Sequence, residues 1–147
     1  MSKIISDNRK MRQIALATII ATGIGSLYFV TSEPVRFLST VYSSNAVGHA
    51  FNDVEMFTIY SKNGTESVDY RREVSLSVMP EGLHFRPNFP LFLLVDSFFV
   101  PIEDVMSCQV GRYGDDSDVT LRLARSEVRL RVTATESLVR WCRTNHV

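Results

Sequence analysis

The amino-acid sequence predicts an α+β protein, in which an N-terminal membrane-spanning helix is followed by one small, mainly antiparallel β domain closed by a C-terminal amphipathic helix. Three observations carry this reading. Ile14–Val30 is a run of 17 residues without a charge. Between Val54 and Val132 apolar side chains mostly alternate with polar ones, the period of half-buried strands. From Thr135 to Arg143 the apolar spacing lengthens to that of a helix, with Leu138, Val139, Trp141 and Cys142 available to pack.

The order of segments follows from these patterns. Residues 1–13 form a basic N-terminus, in which Lys3, Arg9, Lys10 and Arg12 stand against Asp7 alone. Residues 14–30 are the transmembrane helix, at the short end of the roughly 17–25 residues that cross a hydrocarbon core. Tyr28 and Phe29 close its far end, where aromatic rings favour the membrane–water interface. A cleaved secretory signal with a site near Ala21-Thr22-Gly23 is the main rival, and a buried soluble helix the other; the apolar character running on to Val30 favours an uncleaved anchor. The basic flank places the N-terminus in the cytoplasm and the remainder outside, which in a bacterium means a single-pass inner-membrane protein with a periplasmic domain.

Residues 31–50 are a connector. Ser32-Glu33-Pro34 opens a helix with a hydroxyl cap, an acid in the first turn and a proline whose missing N–H costs nothing there. Val35, Leu38, Val41 and Tyr42 then recur at helical spacing. Residues 51–147 form the folded domain, long enough to bury one core. Val54–Tyr60, an Asn63-Gly64 turn and Val68–Tyr70 read as one hairpin; Glu73–Val78, a turn at Pro80-Glu81-Gly82 and Leu83–Arg86 read as a second. Phe89–Val100 is dense in Phe and Leu and too short to cross a bilayer, so it is core or a loop that dips into the membrane interface. Val105–Val110 is a strand, and Val119–Leu123 pairs with Val128–Val132 about a turn at Arg125-Ser126. The terminal helix starts from Thr133 or Thr135, with Glu136 near its positive end and Arg140 and Arg143 near its negative end. The total is about seven strands.

The wording of two segments resembles a known superfamily. Ser75–Pro87, SLSVMPEGLHFRP, is followed after an apolar loop by Phe98–Val105, FFVPIEDV. Together they are similar to small bacterial membrane-tethered proteins of the pleckstrin-homology-like superfamily, including GRAM-type and bacterial PH-like domains, over roughly residues 73–143. Ile102 stands where that pattern often carries Trp. The resemblance implies a β barrel with a C-terminal helix and a tether; it implies no reaction and no transferable set of functional residues.

Four of the sixteen basic residues and one of the sixteen acidic ones precede residue 13, leaving twelve against fifteen from residue 31 onward. A domain of about −3 is not steered toward nucleic acid. No phosphate loop, serine elbow, HExxH or Cys/His ligand spacing occurs, so neither an enzyme, a cofactor nor a metal is expected. Asp115, Asp116 and Asp118 lack the glycine and terminal glutamate of a calcium loop. His49, His84 and His146 are scattered, and Asn63-Gly64-Thr65 is accounted for by its turn.

Two constellations remain. In the last hairpin Arg122 should lie opposite Arg129, and Arg131 opposite Thr120, on the face away from the apolar set. Like charges across a sheet are unfavourable, so either internal carboxylates or an anionic ligand such as a lipid headgroup must compensate. Cys108 and Cys142 sit on a strand and on the terminal helix, and in an oxidising compartment they are candidates for a disulfide. The expectation is therefore a non-catalytic, membrane-tethered interaction module that binds a protein partner or a second copy near the bilayer. The alternative is anionic lipid or small-ligand binding through the Arg122/Arg129/Arg131 face or the Phe89–Val100 loop.

Overall fold

A computed structural model describes residues 26–27, 29–43, 50–113 and 116–145, the side chains of 112, 113 and 116 excepted. The chain divides into two compact units, residues 1–33 and 34–147. Most of Ile14–Val30 lies outside the described residues, with only 26–27 and 29–30 described, all four helical. Among the described residues no helix is long and apolar enough to cross a membrane.

Helix α1, Glu33–Val41, precedes the strands and buries Val35 and Leu38. Seven strands follow: β1 Asn52–Tyr60, β2 Ser67–Met79, β3 Gly82–Pro87, β4 Phe98–Pro101, β5 Val105–Tyr113, β6 Asp116–Leu123 and β7 Arg129–Thr133. Helix α2, Glu136–Asn145, ends the described chain. All pairings are antiparallel, in the order β4-β3-β2-β1-β7-β6-β5. The two meanders β1–β4 and β5–β7 are thus joined through β1 and β7, and the sheet curls into a half-barrel that stays open between β4 and β5.

The alternating residues line the concave side. Phe57 tilts onto Phe85, which stacks on Phe98, with ring centroids 5.3 and 5.1 Å apart. Around them Val74, Leu76, Leu83, Leu121, Leu123, Leu130 and Val132 are buried to 1% exposure or less. Each such side chain contributes about 1.5–3 kcal/mol through its removal from water. Helix α2 adds Leu138, Trp141 and Cys142 and packs on β5 and β2. Cys142 is joined to Cys108 of β5 in a disulfide, with Cα atoms 5.6 Å apart.

The half-barrel with its terminal helix agrees with the β part of the sequence reading, although the strand count is reached differently. Val68–Tyr70 and Glu73–Val78 are one 13-residue strand, not members of separate hairpins. The break expected between them is a bulge: the β1–β2 register shifts between Val54 and Met56, and Arg72 takes φ +55°. Glu55, the single β1 residue opposite Arg72 and Glu73, accepts from the Arg72 Nε–H at 2.8 Å. The Thr133 hydroxyl closes the other side, accepting from the Met56 N–H at 2.9 Å. That task leaves Thr135 as the cap of α2, its Oγ1 accepting from the Leu138 N–H at 3.3 Å. The seventh strand is β4, from within the segment read as core or loop.

Tyr42, just beyond α1, ties the connector to the barrel. Its carbonyl accepts from the Phe99 N–H at 3.0 Å, and Ser43 bridges to Phe98. Its hydroxyl donates to Asp104 in the turn between β4 and β5. Burial, and then the bond to Asp104, hold this phenol above its ordinary pKa. Arg125, in the β6–β7 turn, completes the knot by donating its N–H to the same carboxylate at 3.4 Å.

Candidate functional site

The β6–β7 register pairs Arg122 with Arg129 and Thr120 with Arg131, as the sequence pattern predicts. The two halves of this arginine set then diverge. Arg131 is half-buried and lies 3.7 Å from the Asp118 carboxylate, which also belongs to β6. Arg122 and Arg129 have no carboxylate within 4.0 Å among the described residues. Glu127, two residues before Arg129, is taken by Lys62.

Lys62 arrives from the β1–β2 turn because β1 pairs with β7, which brings that turn and the β6–β7 turn to the same end of the barrel. Gly64 in that turn adopts φ +69°, and a Cβ there would stand 3.2 Å from the Arg129 guanidinium. Glycine therefore serves the turn and leaves room for the arginine. The Arg129 guanidinium also lies 5.7 Å from the centre of the Tyr60 ring, as does that of Arg131 on the same ring.

The result is an open cleft of about 380 Å³ holding Lys62, Arg122, Arg129 and Glu127, with Ser61, Ser107, Gln109 and Thr120 around them. Three cations face one anion. The polar neighbours include three hydroxyls and an amide, each able to donate to an oxyanion or accept from its protonated form. Two guanidiniums facing each other at one register position suit a phosphate or carboxylate better than they suit each other.

Sequence reasoning found Arg122 and Arg129 but neither Lys62 nor the polar rim. Period-two alternation shows which residues share a face within a hairpin, yet the pairing of β1 with β7 is a long-range event that no local pattern encodes.

A second exposed feature lies in Phe89–Val100. Leu91, Val95, Phe98 and Val100 are buried, but Phe89, Phe92, Leu93 and Leu94 are 73%, 53%, 65% and 37% exposed. One side of the loop is therefore core, and the other meets solvent.

The remaining candidates carry less. His84 is buried on the convex face between Phe51 and Phe99, with ring centroids 5.2 and 6.5 Å away. Burial, and then the charge of Arg86, push its pKa down. On the same face the Asp53 carboxylate accepts from Ser75 and, at 3.3 Å, from Asn88, bonds that hold its pKa low. His49, His146 and the side chains of Asp115 and Asp116 lie outside the described residues. Among the described residues no group of three His, Cys, Asp or Glu side chains could hold a metal ion.

No protein-family model matches the chain, and no curated protein matches it either.

Proposed function

We propose that the protein is a membrane-tethered, non-catalytic binding module with a PH-like barrel, and that its cleft at Arg122 and Arg129 takes an anionic group of the phosphate or carboxylate class. The observation that carries this is the divergence within the arginine set: Arg131 has Asp118, while Arg122 and Arg129 face each other with no carboxylate of their own among the described residues. Keeping two like charges at one cross-strand position costs a few tenths of a kcal/mol or more in the empty protein. An anion bridging them removes that cost.

The tether is supported by sequence: 17 uncharged residues, a basic flank before them and aromatic residues at their end. The bond between Cys108 and Cys142 supports an oxidising compartment, in agreement with a domain outside the inner membrane. The PH-like assignment is supported by the order of the strands, the opening between β4 and β5, and the helix at the C-terminus.

The test is a thermal titration of the full chain in nonionic detergent. Dihexanoylphosphatidylglycerol, dihexanoylphosphatidylcholine and inorganic phosphate are the three probes. A ligand that binds only the folded state by about 1 kcal/mol at the working concentration raises Tm by about 4–8 °C for a domain of this size. The rise is expected with phosphatidylglycerol and not with phosphatidylcholine. A rise with inorganic phosphate as well marks the phosphate as the recognised group and the lipid as one source of it. No rise with either anionic probe overturns the cleft as an anion site and leaves binding of a protein partner or a second copy as the function.

A further inference from the structure

We infer that the loop between β3 and β4 is a membrane-contacting wedge, seated in the interfacial region of the same bilayer that holds Ile14–Val30. This rests on the tethered reading above and extends it from one point of attachment to two.

The loop is held by its own backbone hydrogen bonds. Asn88 is fixed to Glu73 by its N–H at 2.7 Å, and the Phe92 N–H returns to the Asn88 carbonyl at 2.9 Å. The N–H groups of Leu94 and Val95 both reach the Leu91 carbonyl, at 3.0 and 3.1 Å, so residues 90–95 form a tight helical turn. Leu91 and Val95 are 0% and 4% exposed and anchor one side of that turn in the core. The other side presents Phe89, Phe92, Leu93 and Leu94 together, and no residue from Asn88 to Val95 is charged.

Single exposed apolar residues need no explanation, but four on one ordered turn do. Phenylalanine and leucine on a short uncharged turn are the residues that enter the headgroup–acyl boundary favourably. The length of chain between the anchor and the barrel selects the bilayer as occupant over a free partner. Tyr42 and Ser43 are bonded to Phe99 and Phe98, a few residues beyond the wedge. Between Val30 and that contact stand two residues and the nine-residue helix α1, a reach of no more than about 25 Å. A barrel held so short at the β4 edge keeps the adjoining loop within range of the surface.

The experiment places an indole at the tip. Full-length Phe92→Trp and, as a control on β5, Met106→Trp are reconstituted into phosphatidylcholine vesicles with and without acyl chains brominated near the headgroup. Wild-type protein supplies the background of Trp141, which is 6% exposed. Flotation with the vesicles after an alkaline wash reads the tether separately. The expected result is flotation of all three proteins, with bromolipid quenching the added emission of Phe92→Trp about two-fold or more and leaving that of Met106→Trp unchanged. Flotation of Phe92→Trp without quenching overturns the wedge while leaving the tether standing. If its unquenched emission is also blue-shifted, a second copy or another protein covers the loop. Equal quenching in both variants overturns a specific contact, and failure to float overturns the tether and the wedge together.

Discussion

Arg122, Arg129 and Arg131 look equivalent in the sequence, and what separates them is the position of a single carboxylate. Asp118 stands two residues before Thr120 on β6, on the same face, and reaches Arg131. Arg122 and Arg129 oppose each other one step closer to the turn, where Glu127 is diverted to Lys62. Arg122→Gln is therefore expected to raise the stability of the ligand-free protein by a few tenths of a kcal/mol, through relief of repulsion, while weakening anion binding. Urea unfolding without added anion checks the sign. His84 makes a different prediction. Its folded-state pKa lies below the value near 6.5 of an unfolded chain, so the unfolded state takes up more protons as pH falls. Stability should accordingly drop from about pH 6.5 downward, by at most about 1.4 kcal/mol for each unit of the shift. His84→Phe should flatten that slope. Asp53 acts in a separate and lower window: its depressed pKa contributes stability above about pH 4 that is lost as the carboxylate protonates.

Alternation located most strands, because a half-buried strand must place every second side chain in the core. It failed where that rule is suspended. At Arg72-Glu73, which together oppose Glu55, the bulge inserts an extra residue, so the period slips and one long strand reads as two. In Phe98–Pro101 the strand is four residues long and sits directly after the apolar turn, so its alternation is lost in a continuous hydrophobic run. The terminal helix was legible in full except for its cap, since Thr133 and Thr135 differ only in which tertiary neighbour claims the hydroxyl. The bond from α2 to β5 carries its own prediction. It closes a sequence separation of 34 residues, and a loop of that length corresponds to about 3–4 kcal/mol of stabilisation. Peptide mapping without reductant should recover Cys108 and Cys142 on one linked pair, and urea unfolding with reductant should shift to lower denaturant. Free thiols at both positions would remove the link and, with it, the support it lends to an oxidising compartment.

For the whole molecule, the sequence conveys class and order better than it conveys the site. The half-barrel of seven strands with a closing helix could be anticipated because each meander is built from neighbours in the chain. The cleft could not, because it forms where β1 meets β7 and separate turns converge. The same long-range join places Lys62 beside the two arginines that the hairpin register pairs, and on the proposed reading this turns a repulsive contact into a site for an anion. The central claim is that this capacity resides in Arg122 and Arg129. The most direct measurement compares the phosphatidylglycerol titration of the wild-type full chain with that of Arg122→Gln/Arg129→Gln and of Arg131→Gln. The account predicts that the double variant loses the Tm rise, with apparent affinity down about tenfold or more, while Arg131→Gln retains most of it. A double variant that responds like the wild type, or a loss confined to Arg131→Gln, would contradict it.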